Sequence, residues 1–109
     1  MDRTRIQNDL KQIGLAYHNF FDTNRKGPAK AEDLGPFLEN DARLLGLLKT
    51  ETIVFYWNVG LLQMPQGTSN TVLAYDWEAP TKGGMALMGD GSVKRMTPQE
   101  FQAAPKAGK

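Results

Sequence analysis

The first part of the chain carries a single apolar stripe. Apolar side chains recur there at alternating steps of four and three residues, at Ile6, Leu10, Ile13, Tyr17 and Phe20. Such spacing is typical of an amphipathic helix, and Asp9 falls off its apolar face. Gly14 weakens a helix by about 1 kcal/mol relative to alanine, but its missing side chain allows another segment to approach closely. The helix should end near residues 22–24, because Gly27 and Pro28 cannot continue it.

The next segment, residues 31–48, predicts several short helical pieces. Leu34 and Phe37 belong to one apolar group, and Gly35 and Pro36 stand between them. Proline is tolerated in a first helical turn but not in a helix interior. One continuous helix is therefore not expected here.

β-Branched and aromatic residues then become frequent, which is typical of strands. The two clearest runs are residues 53–57 and 71–75, with turn-forming residues at 65–70 between them. Residues 59–64 suit either a further strand or a loop.

Asp90 and Gly91 give the clearest local signal, because they separate two strand-like runs at 85–89 and 92–96. An Asp-Gly pair in this context favours a two-residue type I′ hairpin turn. Glycine can adopt the positive φ that this turn requires. We therefore predict a structural turn at Asp90 and Gly91.

The last predicted element is a short helix. Thr97 is a suitable N-cap, Pro98 suits the first helical position, and Glu100 completes a capping box. Phe101 should fold back onto the sheet. The final residues, 103–109, are mostly small and polar, and we expect a frayed tail there.

The order of these elements, with a helix first and antiparallel strands after it, predicts an α+β fold. We expect the N-terminal helix to pack on an antiparallel β-sheet, with short helical segments between the helix and the sheet. The length of 109 residues suits one domain with one modest core, spanning residues 1–109.

Composition narrows the possible functions. The net charge of +1 gives no electrostatic reason to expect nucleic acid or an anionic membrane surface. The absence of cysteine excludes disulfides, thiolate zinc sites and cysteine nucleophiles. No apolar run approaches the roughly 20 residues that span a bilayer.

Candidate catalytic chemistry is sparse. His18 is the only histidine, so a Ser-His-Asp triad would depend on it entirely, and we interpret it as structural. Asp76 and Glu78 would share a face of a strand and are the only candidates for calcium, which prefers oxygen ligands. A hydrolase would need a deep cleft joining these three residues. We expect no catalytic residues, no metal and no cofactor.

Aromatic residues offer a different kind of site. Along a strand, Phe55 and Trp57 should lie on one face and Tyr56 on the other. One set can fill the core while the other is exposed, and exposed aromatic residues often mark interfaces. The binding or interface candidates are Tyr56, Trp57, Leu61, Leu62 and Trp77.

Two separate segments resemble a known bacterial family. Residues 7–19, QNDLKQIGLAYHN, resemble the "NNLKQIGLALHNY" stretch of type IV pilin-like and pseudopilin-like proteins, which carry a prepilin-type N-terminal cleavage and methylation signal. Residues 71–75 and 83–93 resemble that family's "vLAYE…GGxnVLFaDGSV" ending. Asp9 and Tyr17 depart from the pattern, standing where the family usually has asparagine and leucine.

The resemblance to this family, which is similar to the G-like pseudopilins of the general secretion pathway, implies a pilin-like fold. It implies a membrane-anchoring helix before residue 1. This chain lacks that helix, so it is either a truncated form, which is the interpretation we favour, or a soluble relative. The resemblance implies a location on the exported side of the inner membrane, periplasmic or at the cell surface. It also implies a non-catalytic assembly role. Expected partners are other pilin-like subunits, secretion-system proteins or further copies of the chain. The alternative is a module that binds a glycan or peptide through exposed aromatic residues.

Overall fold

The computed structural model of the chain describes residues 3–60, 64 and 66–107. Leu61 and Leu62, two of the predicted interface residues, lie outside the described residues. The helices and strands occur in the order α1 (Arg3–Asn24), α2 (Ala31–Leu34), a 3-10 turn (Gly35–Leu38), α3 (Ala42–Lys49), β1 (Ile53–Phe55), β2 (Val72–Asp76), α4 (Ala79–Lys82), β3 (Gly84–Met88), β4 (Val93–Met96) and α5 (Pro98–Ala103).

The four strands form one antiparallel sheet in the order β1-β2-β3-β4. Helix α1 packs across one face of this sheet, where its closest neighbour is β3. The predicted α+β fold is therefore confirmed, with the N-terminal helix on an antiparallel sheet and the short helical segments between them. No helix within the described residues is long and apolar enough to cross a membrane.

The core between α1 and the sheet is built from the predicted apolar stripe. Leu10, Ile13 and Tyr17 are fully buried, and Leu87 of β3 meets them from the sheet. A second, smaller cluster lies around Phe101, which is buried as predicted against side chains of β2, β3 and α4. The capping box at the start of α5 is also present.

The predicted helix boundaries and breaks agree with the structure. Helix α1 ends at Asn24, and residues 31–49 form three short helical pieces separated at Gly35 and at residues 39–41. Asp41 caps α3 by accepting backbone hydrogen bonds at 2.9 and 3.2 Å. The strand predicted at 53–57 is shorter than expected and ends at Phe55.

The hairpin turn is longer than predicted. Met88 donates its backbone N–H to Ser92 at 2.8 Å and accepts from Gly91 at 3.0 Å, which leaves a three-residue loop from Gly89 to Gly91. Gly91 has a φ of 92°, whereas Asp90 is not among the residues with positive φ. A type I′ turn requires positive φ at both central residues, so the two-residue prediction was wrong.

The predicted frayed tail was wrong for residues 103–107. Val72 donates to the carbonyl of Pro105 at 2.8 Å, and Ala107 donates to the carbonyl of Val72 at 2.8 Å. Lys106 thus forms a parallel bridge with Val72 and lies 4.5 Å over the ring of Phe101. The tail therefore pairs with β2 at a position beyond the end of the β1–β2 pairing.

Asp9 is buried, contrary to its predicted position off the apolar face. Only 3% of the residue is exposed. Its two carboxylate oxygens accept from the two terminal nitrogens of Arg43 at 2.9 and 2.8 Å. This hydrogen-bonded carboxylate raises the pKa of Arg43 above its ordinary value. The pair joins α3 to α1 and compensates the burial of the charge.

Candidate functional site

The sequence-predicted aromatic residues do not form one platform. The ring of Trp57 stacks on Phe55 at 4.4 Å between centroids, beside the α1 core. The ring of Tyr56 packs against both core clusters and lies 6.0 Å from the ring of Tyr75, which packs against the second cluster. Trp57 and Tyr56 are both half-buried, whereas Trp77 is 55% exposed.

Trp77 borders a pocket of about 240 Å³ at the end of the sheet near the start of α1. Strand β2 ends at Asp76, and the backbone N–H of Trp77 then donates to the carbonyl of Thr52 at 3.1 Å. The chain turns immediately into α4, so residues 76–82 form a rim. Ile6 of α1 and Arg95 of β4 complete the walls.

Two carboxylates line this pocket, and their surroundings differ. Asp76 accepts from the backbone N–H of Glu78 at 3.2 Å through Oδ1, and burial raises the pKa of its carboxyl group. Its Oδ2 lies where a side chain on Gly84 would be, since a Cβ there would come within 3.0 Å of it. Glu78 is paired with Lys82 at 3.6 Å.

The arrangement does not assemble the sites considered from sequence. Within the described residues, no three His, Cys, Asp or Glu side chains are placed to hold a metal ion. Asp76 and Glu78, the calcium candidates, share the pocket with Lys82 and Arg95. His18 is not among the lining residues but borders a separate depression beside Asp90 and Gly91, so the described residues do not join it to Asp76 and Glu78 in this pocket.

His18 lies at the hairpin instead. Its Nε2 donates to the carbonyl of Gly89 at 2.8 Å, and its ring meets that of Tyr17 edge to face at 5.7 Å. Gly14, one turn earlier, leaves no room for a side chain because a Cβ would come 2.8 Å from Leu87. The hydroxyl of Tyr17 donates to Val59 at 2.8 Å, and burial raises the pKa of Tyr17 to about 12.

The sequence patterns do not indicate the pocket as a unit. In sequence, Ile6 belongs to the apolar stripe of the first helix, and Arg95 belongs to a strand-like run. The one available signal for Arg95 was the alternation of β4, which places it with Val93 on the α1 side. Its partner across the hairpin is Met85, which also lines the pocket.

Comparisons with protein-family models, with curated proteins and with solved structures give no match to this chain. The pilin-like family assignment therefore remains a prediction from residues 7–19, 71–75 and 83–93.

Proposed function

We propose that this chain is a non-catalytic structural subunit of a pilin-like or pseudopilin-like assembly. In this proposal α1 continues upstream into a membrane anchor, and the described domain lies on the exported side of the inner membrane. Its partners are other pilin-like subunits or further copies of the same chain.

The observation that carries the proposal is the contact between the two segments that resemble the family. Gly14 and His18 belong to the first segment, and Leu87, Gly89 and Gly91 belong to the second. The site of Gly14 is filled by Leu87 and approached by the backbone of Gly91, while His18 bonds to Gly89 across 71 positions of sequence. The residues of the two segments thus have a structural reason, which is that their contacts hold α1 rigidly on the sheet.

A rigid helix–sheet unit suits assembly. When α1 is fixed on the sheet, a membrane anchor that continues from α1 also fixes the orientation of the whole domain. Leu15 of α1 is 61% exposed and borders the contact between α1 and the hairpin, beside His18 and Gly91. Single exposed apolar residues are common on monomers, so Leu15 supports an α1 contact between subunits only together with the family resemblance.

The genomic DNA immediately upstream of this coding segment tests the proposal first. We expect a prepilin-type cleavage motif followed by about 20 apolar residues in the same reading frame. A stop codon and a ribosome-binding site just before Met1 would contradict it.

Cross-linking of the full-length protein in intact cells tests the assembly contact. The 109 residues contain no cysteine, so Leu15→Cys gives this domain one thiol on the outer face of α1. We expect a cross-linked dimer or ladder with this variant. Gln102→Cys on α5, also exposed, is the matched control. Equal recovery of monomer from both variants would oppose contact through α1.

A ligand-binding role is the second candidate, and the exposed indole of Trp77 favours it. The structure separates Trp77 from Trp57 and Tyr56, so the broad aromatic platform expected for a glycan or peptide is not present. Binding would have to occur in the pocket beside Trp77. Substituting Trp77→Ala should then abolish ligand binding, whereas Tyr56→Ala should not.

A further inference from the structure

Four charged side chains line the pocket beside Trp77, namely Asp76, Glu78, Lys82 and Arg95. Glu78 and Lys82 form an ion pair with each other. Within the described residues, Asp76 and Arg95 take part in no ion pair, although both line the same pocket. Besides the Glu78–Lys82 pair, the pocket lining therefore presents one carboxylate and one guanidinium.

The sheet holds these two charges apart. Arg95 is directly opposite Met85, and the register of β2 with β3 places Asp76 on the other side of Met85. Their backbones are thus separated by two strand spacings, about 9.5 Å. This arrangement is complementary to a small molecule that carries an ammonium group toward Asp76 and a carboxylate toward Arg95.

The other residues that line the pocket determine which side chain and what size of ligand it can accept. Ile6 and Met85 present apolar surface, and the indole of Trp77 covers one side. An ammonium group beside an indole gains a cation–π contact in addition to its ion pair. The volume of about 240 Å³ lies below the roughly 300–1,000 Å³ of sites for drug-sized ligands. The pocket therefore suits a very small ligand.

We infer that this pocket binds a free α-amino acid with an apolar side chain. Asp76 accepts from the ammonium group through Oδ2, Arg95 donates to the carboxylate, and the side chain lies against Trp77 and Met85. This inference does not depend on the assembly role, because the residues that form the pocket and those that seal α1 to the hairpin are different.

The test is a titration with L-leucine in which binding is monitored both by calorimetry and by indole fluorescence. The protein has 2 tryptophans, so Trp57→Phe makes Trp77 the sole indole while keeping a ring against Phe55. We expect a saturable change with L-leucine. N-acetyl-L-leucine lacks the ammonium group and L-leucinamide lacks the carboxylate, and each should bind about tenfold or more weakly.

Four substitutions test whether L-leucine binds in this pocket. Asp76→Asn and Arg95→Gln should each weaken L-leucine binding about tenfold or more. Their matched controls are Asp22→Asn and Arg25→Gln, which change exposed groups outside the pocket lining and should leave affinity unchanged.

Several results would overturn the inference. The first is the absence of a saturable response to L-leucine at millimolar concentration. The second is equal affinity for L-leucine, N-acetyl-L-leucine and L-leucinamide. The third is an equal loss of affinity in the pocket variants and in their control variants. A saturable response to glucose without one to L-leucine would assign the pocket to sugars instead. Thermal unfolding of each variant establishes that it is folded before it is titrated.

Discussion

The two ends of helix α1 meet the sheet in different ways. Toward its C-terminal end, the helix is sealed by Gly14 against Leu87, by the hydroxyl of Tyr17, and by His18 against the hairpin. Near its start, Ile6 borders an open pocket that is lined by charged side chains of β2, α4 and β4 and of the residue before α4. The same helix therefore supports a closed structural contact and an accessible polar site.

The family resemblance follows this division. The sealing residues of α1 and the hairpin fall within residues 7–19 and 83–93, which resemble the pilin-like family. Most residues of the pocket, including Ile6, residues 76–82 and Arg95, fall outside the matched segments. The proposed assembly role therefore concerns the sealed end, and the proposed binding of an amino acid concerns the open end.

The largest expected effect comes from the apolar stripe. Leu10→Ala removes a fully buried side chain and should lower the free energy of unfolding by about 2–5 kcal/mol. Leu15→Ala makes the same chemical change on the exposed face of the same helix and should change it by less than about 0.5 kcal/mol. Urea unfolding measures both, and similar losses would show that α1 is not oriented as described.

The next effect concerns the buried charge. Arg43→Gln leaves the carboxylate of Asp9 buried without its bidentate partner, which should lower the free energy of unfolding. Arg25→Gln, at an exposed position, is the matched control and should be nearly neutral. Denaturant unfolding at neutral pH compares them. A neutral Arg43→Gln would mean that the ion pair does not hold α3 on α1.

A smaller effect is expected at the seal. Tyr17→Phe leaves the carbonyl of Val59 without its hydroxyl donor and should cost about 1–2 kcal/mol. The pKa of Tyr17 is raised by burial from 10.0 to about 12, so its contribution is fully present below pH 10 and is lost as pH rises through 12. Unfolding midpoints between pH 9 and 12 should therefore fall less steeply in Tyr17→Phe. Parallel pH profiles would contradict a buried hydroxyl.

The smallest effect belongs to the exposed turn. Asp90 accepts from the hydroxyl and backbone N–H of Ser92 at 2.6 and 3.0 Å, and these bonds lower the pKa of its carboxyl group. The resulting stability is present above the ordinary pKa of 3.8 and lost as pH falls through the lowered value. Asp90→Ala should cost less than about 0.5 kcal/mol at pH 7. Thermal melts at pH 7 and pH 2 test whether the cost disappears in acid.

Sequence patterns were sufficient where the cause is local. The stripe of α1 follows from helical periodicity, and the capping box at Thr97 follows from the needs of a helix start. The α+β fold then follows from the order of the elements. These features depend on residues within a few positions of one another.

Features that depend on distant partners were missed. Burial of Asp9 is tolerable only because Arg43 lies 34 positions away in sequence and beside it in space. Likewise, the tail is ordered by the edge of β2 at Val72. The turn at Asp90 was placed correctly but given the wrong length, because Gly89 was assigned to the strand. The pocket is lined by residues of α1, β2, β3 and β4, so no single segment of the sequence predicts it.

The most direct measurement of the difference between the two ends is an NMR titration with L-leucine that follows every backbone amide. The account predicts saturable shifts at the open end, around Ile6, Thr52, Trp77 and Arg95, with His18 and Gly89 unmoved. No saturable shift, or equal shifts at both ends of α1, would contradict it.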